Sequence, residues 1–203
     1  MKKLLITGFD PFGGASVNPA WEAVRTLPDT VGPFAVIRLQ VPTVWGEAGE
    51  TAAAAVLRED PDVILCVGQA GGRAAVTPEQ VAINLRSSSL PDNRGVTCEE
   101  EPVVPGGPAA YFSTLPVRRM AGAIRACGLP GAVSYSAGTF VCNDLMYHLL
   151  HRFPGKKIGF IHVPFLPEQA RAGQASLALS DTVRALTAAI GAIDAIGEEG
   201  GNS

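Results

Sequence analysis

Short apolar runs bounded by turn residues recur along the chain and predict the strands of a buried sheet. The runs are continuous rather than alternating, as in strands covered on both faces. Helical patterns separate them, an order typical of an α/β protein with a mostly parallel, doubly wound sheet flanked by helices. The predicted strands are 4–7, 34–41, 63–67, 132–135 and 158–163, and the predicted helices are 19–27, 46–59, 117–126, 141–151 and 167–190.

Three regions are less regular. Residues 73–85 suggest a further pair of strands, because Pro78 would break one and Val81 would begin another. Residues 91–108 are rich in proline and glycine and predict a long loop, which could be a functional lid or simply a mobile connection. Residues 197–203 are small and polar and predict a frayed end, so that 1–196 form a single catalytic domain.

Composition narrows the possible partners. The chain has 203 residues, of which 47% are hydrophobic and 17% charged, so it is long enough and apolar enough to bury one core. Sixteen Lys and Arg residues against 19 Asp and Glu residues give a net charge of −3. This balance lacks the basic stripe of a nucleic-acid binder, and we expect no nucleic-acid partner.

The cysteines and the N-terminus bear on the compartment. No pair among the four cysteines has the C-x-x-C spacing of structural zinc or thioredoxin-like redox sites. The apolar run after Lys2 and Lys3 ends before Asp10, which is too short for a signal peptide, and no run approaches the ~20 residues of a membrane span. We therefore expect a cytoplasmic protein with reduced thiols and no membrane partner.

Cys142 is the first candidate for chemistry. It follows the turn-forming stretch 136–141 and precedes an apolar helical pattern, which predicts a place in the first turn of a helix. The positive end of the helix dipole and the unpaired N–H groups there favour a thiolate, the form of cysteine that attacks carbonyl carbon. The alternative is a small buried packing residue, the common fate of a free cysteine.

His162 ends a predicted strand, and in a parallel sheet it would reach the same rim as Cys142. A thiol and an imidazole within hydrogen-bond reach form a nucleophile and a base. A third group, usually a carboxylate or an amide, is needed to orient the imidazole. Spacing alone does not choose among the candidate acids, which are Glu79, Asp62, Asp92 and Asp144.

Two further patterns are weaker. His148 and His151 could share a helical face and bind a metal, although solvated histidines are the commoner explanation. Residues 8–14 follow the first strand, where dinucleotide-binding loops lie, but they lack the G-x-G-x-x-G spacing and favour an apolar ligand wall. Two other functions stay open at this point: a module that binds a small anion or nucleotide on this loop, and a nucleoside phosphorylase.

Five segments, taken together and in order, resemble the pyroglutamyl peptidase I family, also called pyrrolidone-carboxylate peptidases. Each alone could be chance, but together they span nearly the whole chain. They are GFDPFGG (8–14) with the following Asn18-Pro19, PEQVAIN (78–84), GPAAYFSTLP (107–116), SAGTFVCN (136–143) and FIHVPFLP (160–167).

The resemblance implies a cysteine peptidase that removes N-terminal pyroglutamyl residues from peptides through a thioester acyl-enzyme. Cys142 would be the nucleophile, His162 the general base and then acid, and Glu79 the group that orients the histidine. It also implies a single-domain, phosphorylase/hydrolase-like α/β fold, no metal or organic cofactor, and a homotetramer. The expected substrate-binding residues are Phe9, Phe12, Asn18, Thr43, Gln69, Leu90, Phe140 and Val141.

Phe9 and Phe12 would sandwich the flat lactam ring, with apolar neighbours around it. Pyroglutamate carries no charged amine, so an apolar pocket with a few polar groups suits it and excludes ordinary N-termini. The chain departs from the family at Gln80 and Ser89, where arginine is usual. Arg86 is a candidate substitute for the second arginine, and the departures bear on rate and fine specificity.

Overall fold

A computed structural model describes residues 1–194, whose helices and strands form one α/β layer structure. The five helices are α1 Pro19–Thr26, α2 Glu47–Glu59, α3 Val117–Ala126, α4 Val141–Arg152 and α5 Leu179–Gly191. The ten strands are β1 Lys2–Phe9, β2 Thr30–Val31, β3 Phe34–Val41, β4 Val63–Gln69, β5 Thr77–Pro78, β6 Val81–Ile83, β7 Arg86–Ser88, β8 Cys98–Glu101, β9 Ala110–Phe112 and β10 Lys157–Val163.

The main sheet has the strand order β2-β3-β1-β4-β10-β5. Its four central strands are parallel, and the two-residue strands β2 and β5 close the edges in the antiparallel sense. The expectation of a mostly parallel sheet is therefore confirmed. The predicted end 197–203 lies outside the described residues.

Helices cover both faces of the sheet and create two apolar clusters. Leu4, Ile6 and Leu65 face a cluster completed by α1, α3 and α5, whereas Leu5 and Ile64 face a cluster completed by α2 and α4. All five of these strand residues are fully buried. Double coverage explains why the strands appear in the sequence as continuous apolar runs rather than alternating ones.

The predicted strand 132–135 is wrong as a regular strand. The segment runs parallel to β5 but touches it only through isolated bridges, Val76 with Gly131 and Glu79 with Ser134. The N–H groups of Ala132 and Ser134 donate to the carbonyls of Val76 and Pro78. Pro78 has no N–H to return to this ladder, so the pairing is interrupted at its centre.

The predicted helix 167–190 is also wrong in its first half, because α5 begins only at Leu179. Residues 167–178 form turns instead, and Gly173 has a φ of +82° that a right-handed helix does not allow. The other four predicted helices and four central strands are present, with ends that differ by at most two residues.

The two irregular regions contain short strands. Within 73–85 the chain forms β5 and β6, as expected, although Pro78 lies inside β5. The loop 91–108 is not structureless, because β8 lies within it and pairs antiparallel with β7. Its first residues are tied down, since Asn93 donates from its backbone N–H to the carbonyl of Thr43.

The carboxyl ends of β1, β3, β4 and β10 meet at one edge of the sheet. Phe9 pairs with Val41 at this edge, and His162 pairs with Gly68. Loops that leave this edge carry most of the candidate site, the usual place for ligands in an open α/β sheet. In residues 1–194 no helix is long and apolar enough to cross a membrane.

Candidate active site

Cys142 lies in the first turn of α4, as the sequence predicts. Phe140 occupies the N-cap position without a side-chain cap, so the first N–H groups of the helix stay free of a capping side chain. The sulfur of Cys142 lies directly over Gly68, where a methyl carbon added to that glycine would come within 2.8 Å of it. Since Gly68 pairs with His162 across the sheet, the thiol lies above the strand beside the histidine.

His162 and Glu79 form the central contact of the site. His162 Nδ1 lies 2.7 Å from Glu79 Oε1, and the two side chains are almost completely buried. Glu79 is held in place by its own backbone, because its N–H donates to the carbonyl of Phe160 on β10. With Nδ1 bound to the carboxylate, Nε2 is the imidazole nitrogen available to a thiol.

The three other candidate acids do not contact His162. Asp62 accepts a hydrogen bond from the backbone N–H of Lys3. Asp92 accepts from backbone N–H groups in its own loop and at the start of α2, among them that of Trp45. The structure thus leaves Glu79 as the only one of the four acids bonded to the histidine.

Arg73 is a member of this cluster that the sequence analysis missed. Its Nη1 donates to Glu79 Oε1 at 2.6 Å and to Thr77 Oγ1 at 2.8 Å. Its Nη2 donates to the carbonyl of Ser136 at 3.1 Å. A signal existed, because Arg73 is the first charged residue after the carboxyl end of β4, the edge where polar site groups collect.

Burial governs the protonation of the thiol and the imidazole. It raises the pKa of the Cys142 thiol to about 12, and the negative charge of Glu79 acts in the same direction. Burial lowers the pKa of His162, although Glu79 opposes this by favouring the imidazolium. The resting pair at neutral pH is therefore a neutral thiol beside a neutral imidazole, not the thiolate that the helix position alone favours.

Glu79 stays ionised despite its burial. Desolvation raises the pKa of its carboxyl group, but the hydrogen bond from His162, the attraction of the protonated form of His162 and the hydrogen bond from Arg73 outweigh it and lower the pKa below the ordinary value. A charged carboxylate therefore faces Nδ1 and favours the tautomer that leaves Nε2 without a proton.

Aromatic rings form a wall beside the start of α4. The Phe140 ring lies 6.0 Å from that of Phe12 and 5.1 Å from that of Trp45, the latter in an edge-on arrangement. Phe9 is placed differently, since it is 2% exposed and its ring lies 6.4 Å from Phe160 in the core. The sandwich of Phe9 and Phe12 around a lactam stays a prediction.

Asn18 and Thr43 are buried beneath this wall and bind the backbone of Asp10. Asn18 Nδ2 and Thr43 Oγ1 both donate to the Asp10 carbonyl, at 3.0 and 3.2 Å. Asn18 Oδ1 also accepts from the N–H of Ala20 and so caps α1. Their side chains therefore hold the 8–14 loop in shape, and substrate contacts through them stay predictions.

Gln69 and Leu90 line a surface cavity of about 610 Å³ together with Phe12. The far wall comes from residues 165–174, the segment that turns instead of forming a helix. Gln169 joins the two walls by donating to Gln69 Oε1 at 3.3 Å and to the Val17 carbonyl at 3.0 Å. Val141 is fully buried at the start of α4, behind the aromatic wall.

The positions where the family usually has arginine lie apart from the histidine. Gln80 lines a separate cavity with Leu115 and Arg118. Ser89 is exposed and lines a cavity with Ser87 and Cys98.

Arg86, the candidate substitute for the second arginine, binds another acid than Glu79. Its Nε donates instead to the buried carboxylate of Asp144 at 2.5 Å. The other carboxylate oxygen of Asp144 accepts the N–H of Gly46, so this pair joins α4 to the start of α2.

The two helix histidines have other partners. His148 packs on Gly49 with its Nε2 3.4 Å from Glu50 Oε1, and His151 Nδ1 lies 2.9 Å from the Tyr111 hydroxyl. Within the described part of the chain, no group of three or more His, Cys, Asp and Glu side chains is placed to hold a metal ion.

Known proteins are similar to this chain over nearly its whole length. The family model described as pyroglutamyl peptidase matches residues 2–196. A pyrrolidone-carboxylate peptidase of Levilactobacillus brevis is 55% identical over 197 residues, which cover 94% of this chain and 97% of that protein.

Solved structures of proteins with these names superpose on nearly the whole chain. The crystal structure of pyroglutamyl peptidase I from Bacillus amyloliquefaciens superposes with a TM-score of 0.91 at 47% identity, covering 95% of this chain and 97% of the other. The pyrrolidone carboxyl peptidase from Thermococcus litoralis gives a TM-score of 0.90 at 33% identity, with coverage of 95% and 93%.

Proposed function

The chain belongs to the pyroglutamyl peptidase family, cysteine-type hydrolases that remove an N-terminal pyroglutamyl residue from peptides, and we propose that Cys142, His162 and Glu79 carry the reaction. The observation that supports these roles best is the buried contact of 2.7 Å between His162 Nδ1 and Glu79 Oε1, beside the sulfur over Gly68. A nucleophile, a base and an orienting carboxylate are the parts that acyl transfer requires.

The first step is attack on the carbonyl carbon of the pyroglutamyl residue. His162 Nε2 accepts the proton of the Cys142 thiol as the sulfur–carbon bond forms, because the pKa of a resting thiol at about 12 leaves almost no thiolate beforehand. The carbonyl oxygen gains the negative charge. Free N–H groups in the first turn of α4 are the donors in reach of that oxygen, with the helix dipole behind them.

The second step breaks the carbon–nitrogen bond of the tetrahedral intermediate. The imidazolium of His162 gives its proton to the departing amine, which leaves a neutral peptide and a thioester on Cys142. Water then attacks the thioester with His162 as base, and the proton returns to the sulfur as pyroglutamate leaves. Glu79 stabilises the imidazolium that forms in each half-reaction through the bond to Nδ1.

Specificity follows from the apolar surroundings that we assign to the lactam. We place the ring of pyroglutamate between Phe9 and Phe12, and the residues that line the rest of the pocket are Thr43, Leu90, Phe140 and Val141. Polar contacts to the lactam N–H and carbonyl would come from Asn18 and Gln69, by main chain or side chain. A free-amine residue would have to bury an unpaired charge there, which is costly.

Turnover of matched amides tests this assignment. We expect release of a fluorogenic amine from its pyroglutamyl amide but not from its prolyl or glutamyl amide, with complete loss in Cys142→Ala. Cys127→Ala is the matched control, since Cys127 is also a free cysteine but lies at the end of α3, away from the site. Retained turnover in a folded Cys142→Ala variant would contradict the proposed nucleophile.

We further propose that the enzyme works in the cytoplasm as a homotetramer. All four cysteines are free, and a catalytic thiol acts only when reduced, which suits a reducing compartment. The tetramer rests on the family resemblance. Cell fractionation tests the compartment, and sedimentation of the purified protein at several concentrations tests the assembly, where a monomer throughout would refute it.

A further inference from the structure

We propose that Arg73 is a positioning residue for this reaction: it fixes the charged carboxylate of Glu79 against His162 and acts on the imidazole through that carboxylate. The inference rests on the roles proposed above for Cys142, His162 and Glu79. Arg73 itself contacts neither the thiol nor the imidazole by a hydrogen bond, so it acts through the carboxylate.

Arg73 and His162 bind the same oxygen of the Glu79 carboxylate. Glu79 Oε1 accepts at 2.6 Å from Arg73 Nη1 and at 2.7 Å from His162 Nδ1, so one oxygen is clamped between two donors. Thr77 Oγ1 accepts a second bond from the same Nη1. Thr77 in β5 and Glu79 just after it thus both accept from Nη1, and together they restrain the guanidinium group and the carboxylate.

A third contact reaches the segment that leads to the nucleophile. Arg73 Nη2 donates to the carbonyl of Ser136, six residues before Cys142. The guanidinium therefore links two parts of the site that are far apart in the sequence, namely the segment of Thr77 and Glu79 and the approach to α4. Loss of Arg73 removes this side-chain link, while the backbone hydrogen bonds of Glu79 remain.

The charge of Arg73 has a separate effect on the imidazole. Burial is the main cause that lowers the pKa of His162, and the positive charge of Arg73 lowers it further, whereas Glu79 raises it. Without Arg73 the carboxylate would attract the proton of an imidazolium more strongly. His162 would then be protonated at rest over a wider range of pH, although the reaction needs its Nε2 unprotonated.

Few charged groups affect the protonation of His162 and Cys142. Those that affect the protonation of His162 are Glu79 and Arg73, and the same two act on the thiol of Cys142 together with the buried thiol of Cys66. Arg73 supplies the only positive charge among these partners. Gln80, where the family usually has arginine, carries no charge and lines a separate cavity with Leu115 and Arg118.

A turn of the backbone places Arg73 at the edge of the sheet. It follows Gly71 and Gly72 at the carboxyl end of β4, and the φ of +86° at Gly72 turns the chain back over the edge of the sheet. The backbone N–H of Arg73 donates to the carbonyl of Ala70 and closes this turn. The side chain is about one-third exposed, so solvent screens part of its charge.

The test compares the pH dependence of kcat/KM in the full-length enzyme and its variants. We expect Arg73→Gln to lower kcat/KM about tenfold at its optimum, since hydrogen bonds to charged groups are among the strong ones, and to move the acid limb to higher pH. Glu79→Gln should move that limb the opposite way, because the carboxylate favours the imidazolium. Arg73→Lys keeps the charge and should return the limb toward the wild-type position.

Arg125→Gln is the matched control. Arg125 also donates to a loop carbonyl, that of Gly131 at 2.8 Å, but it lies on α3 away from the histidine. This variant should keep both the height and the position of the profile. Arg73→Met, which keeps much of the side chain's length, repeats the test if the glutamine variant does not fold.

The outcomes separate this inference from the proposed function. A folded Arg73→Gln enzyme whose acid limb coincides with that of the wild type, while Glu79→Gln shifts its limb, overturns the role of Arg73 alone. An unshifted and undiminished profile in Glu79→Gln overturns the proposed function on which it rests.

Discussion

A methyl group at Gly68 perturbs the site where the thiol meets the sheet. The added carbon of Gly68→Ala would lie 2.8 Å from Cys142 Sγ and 2.7 Å from Phe160 Cζ. Ordinary contacts between heavy atoms begin at about 3.5 Å, so the sulfur and the ring must each yield by roughly 0.7 Å. Both neighbours belong to packed elements, α4 and β10, and neither is the end of a flexible chain.

Two magnitudes follow from this displacement. Overpacking of a core costs about 1–3 kcal/mol of the free energy of unfolding, which lowers Tm by several degrees in a domain of this size. A misplacement of about 1 Å in a catalytic group can cost about a hundredfold in rate, equivalent to about 2.7 kcal/mol of activation free energy. We therefore expect Gly68→Ala to lose between about tenfold and a hundredfold in kcat.

The assay measures kcat on a pyroglutamyl amide together with Tm. Gly155→Ala is the control, because a methyl carbon there meets nothing within 4 Å and the residue lies in the turn before β10. That variant should keep both values. If Gly68→Ala retained wild-type kcat and Tm, the sulfur could not lie over Gly68, and the proposed approach of thiol to histidine would be refuted.

The other predictions concern pH and the aromatic wall. Burial raises the pKa of both Cys66 and Cys142 to about 12, so these thiols stay protonated in the folded protein after the unfolded chain ionises near pH 9.0. The free energy of unfolding should therefore fall as pH rises above 9.0. In denaturant titrations, Cys142→Ala should reduce the slope of this free energy against pH by up to about 1.4 kcal/mol per pH unit. Equal slopes in the wild type and the variant would contradict this. Phe140→Ala should lower kcat/KM about tenfold, mainly through KM, because the ring packs on its neighbours in the wall. Phe112→Ala, at an exposed ring, should leave kinetics unchanged, and equal effects in both variants would argue against the wall as the lactam pocket.

The sequence predicted the central sheet well for a physical reason. Strands covered on both faces need continuous apolar runs, and β1, β3, β4 and β10 carry them. Since parallel strands align their carboxyl ends, the placement of His162 at the active edge followed from its position in β10. These features are encoded locally, in a few adjacent residues.

The failures concern features that depend on distant partners. The segment 132–135 has the composition of a strand, but its pairing depends on Pro78, more than fifty positions away, which lacks the N–H that the ladder needs. The pattern in 167–178 continues into α5, yet the chain turns at Gly173 and builds the cavity wall instead.

The active site likewise contains features that depend on distant parts of the chain. Spacing could not separate Glu79 from three aspartates, because the choice depends on which carboxylate reaches Nδ1 of His162 in space. The sequence does not single out Arg73, because an arginine after a glycine turn is common on protein surfaces. β5 pairs with β10, and this pairing brings Thr77 and Glu79 to the guanidinium of Arg73. The contact depends on tertiary structure, so no short sequence motif predicts it.

The most direct test of the account is to trap the covalent intermediate. The enzyme is mixed with an activated pyroglutamyl ester, quenched in acid during turnover, digested, and examined by mass spectrometry. We expect one pyroglutamyl group on the peptide that contains Cys142, and none in Cys142→Ala, which should also fail to turn over the amide. A pyroglutamyl group on another residue, or undiminished amide turnover without Cys142, would contradict the central claim.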